Sequence, residues 1–261
     1  MTALLLVSLL AASPQPLKFS MPEDLALTAA AAAIWGGEVL LQGALGSETC
    51  RWCDRNPDGS DSLNRFDRWG TEHLLWGDRS APETASNVLV VALPLGLAGI
   101  DWAVARESGA SGEVLEDLVM IAEATAVSGA LNGGEKYAFA RQRPAAHLAG
   151  VVGPSSVDDN VSFYSGHSAF AFALAGSAGT IASLRGYPHA WVVWAVGMPV
   201  AGAVALLRVG AAKHYLTDVL VGSLVGGAIG AGVPLLFHRR LGDVRVQLVP
   251  SPGSVSLVGV F

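Results

Sequence analysis

Long apolar runs separated by short polar islands constrain the fold of this chain more than any other feature. Between Lys136 and Asp218, three polar islands alternate with apolar segments long enough to cross a bilayer. Such segments fold as helices, because a backbone in hydrocarbon must satisfy its own hydrogen bonds. Hydrophobic residues make up 51% of the 261 residues and charged residues 15%, which is less charge than a soluble domain usually carries. The pattern predicts a helical membrane protein.

Six segments are candidate membrane spans, judged against a length of about twenty residues. They are Leu25–Leu45, Asn87–Ala105, Asp117–Leu131, Gly166–Leu184, His189–Leu207 and Thr217–His238. With six spans, the three polar islands fall on the same side of the membrane. The expected fold class is therefore all-α, an integral-membrane six-helix bundle formed by residues 22–240.

The two ends of the chain differ in pattern from this bundle. Residues 1–21 form a signal-like or apolar N-terminal extension, in which no Lys or Arg precedes the apolar run, so a cleaved signal and a retained extension both remain open. Residues 241–261 alternate apolar and polar side chains around Pro250-Ser-Pro-Gly253. This alternation predicts a β-hairpin tail that packs on the bundle or on a partner.

Small and acidic residues within the spans predict helix packing. Gly222, Gly226 and Gly230 recur every four residues, a spacing that lets two helices approach closely. Glu38, Asp101 and Glu123 are ionisable groups inside or beside spans and are therefore functional candidates. Because each lies near a span end or among small residues, structural roles at an interface or between helices are favoured.

The first island, Lys136 to Pro144, carries three cations. Lys136 and Arg143 are seven residues apart, so a continuous helix would place them on about the same face. Pro144 predicts a helix stop, since the residue before a proline is disfavoured in the helical conformation. Arg141 lies between them and is expected to be peripheral, away from any bound anion.

The second island, Tyr164-Ser-Gly-His167, opens directly into an apolar run. Ser165 is a good helix N-cap, and Gly166 allows the backbone to approach a ligand closely. The free N–H groups of a helix start can bind an anion, and His167 lies in that first turn.

The third island pairs a histidine with a carboxylate. His214 and Asp218 are four residues apart, so a helix start here would let Asp218 accept a hydrogen bond from the imidazole. Arg208 lies just upstream and can donate two hydrogen bonds to the same anion. Cations and histidines at helix ends together predict a phosphate site.

The combined pattern K-x6-R-P, S-G-H and R-x5-H-x3-D resembles the type 2 phosphatidic acid phosphatase superfamily, which also includes the vanadium haloperoxidases. The match covers about a third of the chain directly, and the hydrophobic pattern extends it to most of the rest. Two positions depart from the usual pattern: Tyr164 stands where Pro is usual, and Leu207 where Ser is common. Neither change removes a group that the chemistry requires.

The resemblance implies the family's six-helix membrane fold and a metal-free phosphoryl transfer through a phosphohistidine, with no cofactor. It makes His214 the nucleophile, Asp218 its orienting group and His167 the acid and base. It assigns phosphate binding to Lys136, Arg143, Ser165, Gly166 and Arg208. The expected activity is hydrolysis of a lipid phosphate monoester or a polyprenyl diphosphate. A lipid phosphotransferase and a catalytically silent membrane scaffold remain alternatives, and a haloperoxidase is disfavoured because nothing indicates a soluble chain.

Partners and location follow from charge and cysteine content. The expected partners are a lipid phosphate and the bilayer, and the net charge of −6 argues against nucleic acid. Cys50 and Cys53 predict a local disulfide outside the cytoplasm. Arg239-Arg240 favours a cytoplasmic C-terminus. Charge alone does not settle the topology; the arrangement common in the families that the chain resembles implies a bacterial inner-membrane protein whose polar islands face the periplasm, although a cleaved signal would argue for the reverse orientation.

Two further features have structural interpretations. The loop Gly46–Ser86 carries Phe66-Asp-Arg-Trp69, which is typical of a segment lying at the membrane interface and equally of an ordinary amphipathic loop helix. The remaining histidines His147, His189 and His238 are expected to be structural.

Overall fold

The computed structural model describes residues 14–240, 245–251 and 254–260. The apolar run near the N-terminus, the core of the predicted 1–21 extension, falls in residues 1–13 and lies outside the described residues. In the described part the helices are α1 Met21–Leu40, α2 Gln42–Leu45, α3 Arg65–His73, α4 Ser80–Glu107, α5 Val114–Phe139, α6 Pro144–Leu148, α7 Gly166–Arg185, α8 Ala190–Gly210 and α9 Leu216–Val233. A short 3-10 helix spans Val157–Asn160, and a π-helical turn spans Pro234–His238.

Six of these helices are long and form the bundle that the hydrophobic pattern predicts. Helix α7 is central and packs against α4, α5, α8 and α9, while α1 packs against α5, and α4 against α8. The apolar core lies mainly among α4, α5, α7 and α8, where Leu97, Met120 and Val204 are almost fully buried. The chain is an all-α integral-membrane bundle, as expected from the sequence.

The spans themselves differ from the prediction. Three helical segments, Ser80–Glu107, Ala190–Gly210 and Leu216–His238, are long and apolar enough to cross a membrane. Among the described residues, α1, α5 and α7 do not meet the same measure. Helix α7 is nearly enclosed by its neighbours, so small residues replace the large apolar side chains that a lipid-facing helix carries. The six-span assignment is therefore confirmed for three helices by length and composition.

A two-stranded antiparallel ribbon follows the bundle. Strand β1, Arg245–Ser251, pairs with β2, Ser254–Val260, with Leu248 opposite Leu257. That this tail packs on the bundle or on a partner stays a prediction.

The acidic residues within the spans lie between helices, as expected. Asp101 of α4 is fully buried and Glu123 of α5 is 2% exposed. One carboxylate oxygen of Glu38 in α1 is buried against α5, where a Cβ on Gly133 would overlap it.

The closest helix contact runs along the glycines of α9. An added Cβ at Gly222, Gly226 or Gly230 would overlap the backbone carbonyl of Ser165, Ala169 or Ala173 respectively. The predicted packing seam is confirmed: it brings α9 directly against the backbone of α7.

Replacing Gly226 with Ala should lower the thermal unfolding midpoint of the detergent-solubilised protein, because a backbone carbonyl cannot move aside as a side chain can. Overpacking of this kind costs about 1–3 kcal/mol. Gly227→Ala is the matched control, since nothing lies within 4 Å of its added Cβ. It should leave the midpoint unchanged or raise it slightly through helix propensity. Equal losses in the two variants would contradict the seam.

Candidate active site

The three polar islands meet at one end of the bundle. Lys136 lies in the last turn of α5, His167 in the first turn of α7 and Arg208 in the last turn of α8. His214 follows in the connection to α9. The charges of Lys136, Arg143 and Arg208 all act on the His214 ring, so the sequence-predicted residues do converge.

His214 is buried and has a fixed tautomer. Its ring is 2% exposed, and Nδ1 lies 2.7 Å from the main-chain carbonyl oxygen of Ser162. A carbonyl oxygen can only accept, so Nδ1 carries the proton and Nε2 keeps its lone pair. Burial, together with the nearby charges of Arg143, Arg208 and Lys136, holds the pKa of His214 well below its ordinary value. The ring is therefore neutral at physiological pH.

Asp218 does not contact His214, which corrects the expected direct hydrogen bond. Helix α9 begins at Leu216, so His214 precedes it and the four-residue spacing has no helical geometry. The Asp218 carboxylate instead accepts hydrogen bonds from Ser162 Oγ at 2.6 Å and from the main-chain N–H of Tyr215 at 2.9 Å. Ser162 therefore links the two residues, since its side chain donates to Asp218 and its carbonyl accepts from His214. The sequence offered no signal for it.

His167 is oriented by a residue that the sequence analysis also missed. Its Nε2 lies 2.9 Å from the side-chain oxygen of Asn87, near the start of α4. That oxygen accepts, so Nε2 donates and Nδ1 is left for proton exchange. Asn87 also receives a contact from Arg208 at 3.5 Å, which connects the second and third islands.

Two of the three predicted phosphate-binding cations lack an anionic partner. Within residues 14–240, no carboxylate pairs with Lys136 or Arg208. Arg208 is 5% exposed, its Nε has no hydrogen-bond partner, and it donates to the neutral Ser86 at 3.3 Å. Uncompensated buried charge is costly, and a bound anion would offset that cost.

Arg143 reaches the site from a different element than expected. Helix α5 ends at Phe139, where Ala140 adopts a left-handed conformation with φ 41°, so Lys136 and Arg143 do not share a helix face. Pro144 begins α6 instead of stopping α5. Arg143 forms an ion pair with Asp158 at 2.8 Å and donates to the Lys213 carbonyl at 3.2 Å. Asp158 therefore pairs with one of the predicted phosphate-binding cations.

The start of α7 reaches a cavity at Gly166 and His167, but the expected free N–H of Ser165 instead donates to the main-chain carbonyl oxygen of Asp218 at 3.1 Å. Ser165 is the N-cap, and its side chain accepts from the main-chain N–H of Ser168. A Cβ on Gly166 would lie 2.6 Å from the Asn132 side-chain oxygen and 3.3 Å from the Lys136 nitrogen. Glycine is required here because it brings the helix start against the cation.

Arg141 is not peripheral, and that expectation is wrong. The side chain is fully buried and forms ion pairs with Asp54 at 2.9 Å, Asp67 at 2.7 Å and Asp218 at 2.6 Å. Burial opposes its charge, but the carboxylates outweigh this and raise the pKa of Arg141. Asp67 belongs to the Phe66–Trp69 segment, so this segment supports the site as well as exposing aromatic rings. The expectation that Arg141 stays off the anion is consistent with these contacts.

A largely apolar cavity opens beside the polar groups. It has a volume of about 430 Å³ and lies among α1, α4, α5 and α7. Lys136 and His167 line it together with Trp35, Val91 and Phe170. The disulfide Cys50–Cys53, confirmed as predicted, lies in the loop above this end of the bundle.

Comparison with known proteins agrees with this geometry. Residues 117–241 match the family model described as PAP2 superfamily. No curated protein matches the chain. A solved structure described as the first transmembrane PAP2 type phosphatidylglycerolphosphate phosphatase from Bacillus subtilis is 20% identical, with 82% of this chain and 91% of that chain covered and a TM-score of 0.41.

The matched segment contains every sequence-predicted site residue, from Lys136 to Asp218. Those residues meet at one end of a bundle that includes helices long and apolar enough to cross a membrane. Residues 117–241 of the chain are therefore similar to the PAP2 superfamily.

Proposed function

We propose that the chain hydrolyses a lipid phosphate monoester or a polyprenyl diphosphate, without a metal ion, through a phosphohistidine on His214 Nε2. One observation carries the proposal: a neutral imidazole with a free Nε2 lies within the field of three cations, two of which have no carboxylate partner among the described residues. A phosphate would satisfy these cations and bring phosphorus to the nucleophile.

In the first half-reaction, the Nε2 lone pair of His214 attacks phosphorus and the bond from phosphorus to the lipid oxygen breaks. His167 transfers a proton to that oxygen, and the bound phosphate keeps His167 protonated before the step. The His214 ring gains positive charge on attack. The Ser162 carbonyl, 2.7 Å from Nδ1, stabilises that charge. Asp218 acts through Ser162 and is therefore a positioning residue.

In the second half-reaction, water attacks the phosphorus of the phosphohistidine. His167 accepts the proton of the water, the bond from phosphorus to nitrogen breaks, and inorganic phosphate leaves. Lys136, Arg143 and Arg208 stabilise the charge on the phosphoryl oxygens, a task that metal ions perform in other phosphoryl-transfer enzymes. The main-chain N–H of Gly166 adds a neutral donor at the start of α7, whereas the Ser165 N–H donates to the main-chain carbonyl oxygen of Asp218 at 3.1 Å.

The apolar cavity supports a lipid as the group attached to the phosphate. Trp35, Val91 and Phe170 line the same space as Lys136 and His167, so an acyl or prenyl chain and a phosphate can bind side by side.

The membrane orientation that fits best is a bacterial inner membrane with the site facing the periplasm. The disulfide lies on the same side as the site and is favoured in an oxidising compartment. An impermeant thiol reagent, added to intact cells after reduction, checks this orientation through Cys50 and Cys53.

Purified protein incubated with a panel of lipid phosphates should release inorganic phosphate equally well with and without a chelator. His214→Ala should abolish release while the variant remains monodisperse and cooperatively folded. Loss of activity in chelator that Mg²⁺ alone restores would exclude the metal-free mechanism. Transfer of phosphate to an alcohol in place of water would identify a phosphotransferase, and no reaction with any lipid would favour a silent scaffold.

His167→Ala should also abolish turnover of lipid substrates, but at a different step. With an aryl phosphate, whose leaving group needs little protonation, the variant should form the phosphoenzyme and hydrolyse it slowly. Acid-labile labelled protein should therefore accumulate in His167→Ala and be absent from His214→Ala. Labelling of both variants would contradict the division of roles.

Vanadate should inhibit competitively, because it adopts the five-coordinate shape of the phosphoryl-transfer transition state. Arg208→Lys keeps the charge but loses the planar pair of donors. This variant should weaken vanadate inhibition and lower the turnover rate together, each by about 1–3 kcal/mol. The matched control is Arg65→Lys on the exposed surface of α3. Equal behaviour of the two variants would contradict the assignment of Arg208 to the anion.

The acidic limb of the kcat/KM profile should lie below the ordinary histidine pKa of about 6.5. The reason is that the lowered pKa of His214 keeps its lone pair available until the pH falls through that lower value. Lys136→Met removes one of the charges that lower the pKa, so the limb should move to higher pH. Arg65→Met is the control. A limb that stays in place in Lys136→Met would contradict the electrostatic coupling.

A further inference from the structure

A second polar cluster lies at the opposite end of the bundle. Asp24 in the first turn of α1, Glu123 of α5 and His238 at the end of the π-helical turn each offer one ligand atom, and these atoms lie within 4.8 Å of one another. Glu123 and Lys136 are thirteen residues apart on α5, or about 20 Å along the helix. The cluster is therefore separate from the phosphate site.

Two buried atoms of this cluster lack hydrogen-bond partners. Glu123 and His238 are each 2% exposed, and neither Glu123 Oε2 nor His238 Nε2 has a hydrogen-bond partner among the described residues, although the two atoms face each other at 3.4 Å. Both side chains line a cavity of about 360 Å³ that also contains Asp24. Burying unsatisfied polar atoms costs about 1–3 kcal/mol each, so a missing ligand is the simplest explanation for two of them in one place.

The histidine is prepared for coordination. His238 Nδ1 lies 2.9 Å from the main-chain carbonyl oxygen of Lys18, so Nδ1 carries a proton, and Nε2 is the ring nitrogen that faces Glu123. A carbonyl that holds the far nitrogen of an imidazole is the usual outer-shell partner of a metal-bound histidine. The π-helical turn, a rare element that is frequent at functional sites, sets the position of His238.

The spacing favours a cation over a direct ion pair. His238 Nε2 and Glu123 Oε2 are 3.4 Å apart, longer than the roughly 2.7–2.9 Å of a charge-assisted hydrogen bond. Two ligands each about 2.1 Å from a tetrahedral Zn²⁺ lie about 3.4 Å apart. One imidazole with two carboxylates suits a first-row transition cation better than Mg²⁺ or Ca²⁺, which prefer oxygen ligands alone.

We propose that Asp24, Glu123 and His238 form a binding site for a divalent transition cation of the Zn²⁺ type, which links α1, α5 and the end of α9. Its role is structural or regulatory, because it lies far from His214. Glu123 and His238 are expected from the sequence to have structural roles, and the site would make those roles depend on a cation.

Full-length protein, purified in detergent and stripped with chelator, should bind one Zn²⁺ per chain by equilibrium dialysis. Zn²⁺ should also raise the thermal unfolding midpoint, as expected for a ligand specific to the folded state. Mg²⁺ at the same concentration should do neither. Co²⁺ should give the visible absorption of a mixed nitrogen and oxygen ligand set.

Glu123→Gln, which preserves shape, should weaken Zn²⁺ affinity by about tenfold or more. Asp24→Asn gives a second, independent variant should Glu123→Gln fold poorly. Glu23→Gln is the matched control, since Glu23 lines the same cavity but is exposed and outside the cluster. The proposal would be overturned if both Glu123→Gln and Asp24→Asn kept the wild-type affinity for Zn²⁺. It would also be overturned if Glu23→Gln lost as much affinity as they do, or if the wild type showed no saturable binding.

Discussion

The buried guanidinium of Arg141 is the interaction on which the active-site end of the molecule depends. Its three carboxylate partners come from the disulfide loop, from α3 and from α9, so one side chain joins segments that are far apart in sequence. The guanidinium also lies between the rings of Trp52 and Tyr215, at 4.0 and 4.1 Å. Removing one partner from such a buried network costs about 3–5 kcal/mol, because the remaining charges stay buried.

This network also determines where the nucleophile lies. Asp218 is shared between Arg141 and Ser162, and the Ser162 carbonyl holds His214. Asp67 accepts from the main-chain N–H and the hydroxyl of Thr217, which fixes the start of α9 beside them. The buried charge of Arg141 therefore fixes the tautomer and position of the His214 ring through Asp218 and Ser162.

The second constraint is the short distance between the backbones of α7 and α9, which small residues make possible. The glycines of α9 place that helix against the carbonyls of α7, and Gly222 meets Ser165 at the start of α7. The start of α7, proposed to bind the anion, and the loop that carries His214 are thus held by backbone contact, which deforms less than long side chains do. The resulting rigidity suits a reaction that relies on positioning and charge.

The sequence by itself determined the helical membrane class, the six long helices, the glycine seam, the disulfide and the set of cations and histidines. Each of these follows from composition, from the hydrophobic period or from the spacing of residues near one another in sequence. Such local features can be recognised without knowing the tertiary fold. Only the tertiary structure decided how those residues connect. It replaced the Asp218 to His214 hydrogen bond with a link through Ser162, moved Arg143 off α5, and made Arg141 a buried hub. It also revealed Asn87 beside His167. Each of these depends on contacts between residues tens of positions apart, and a lone Ser, Asn or Arg has no periodicity that could report its distant partner.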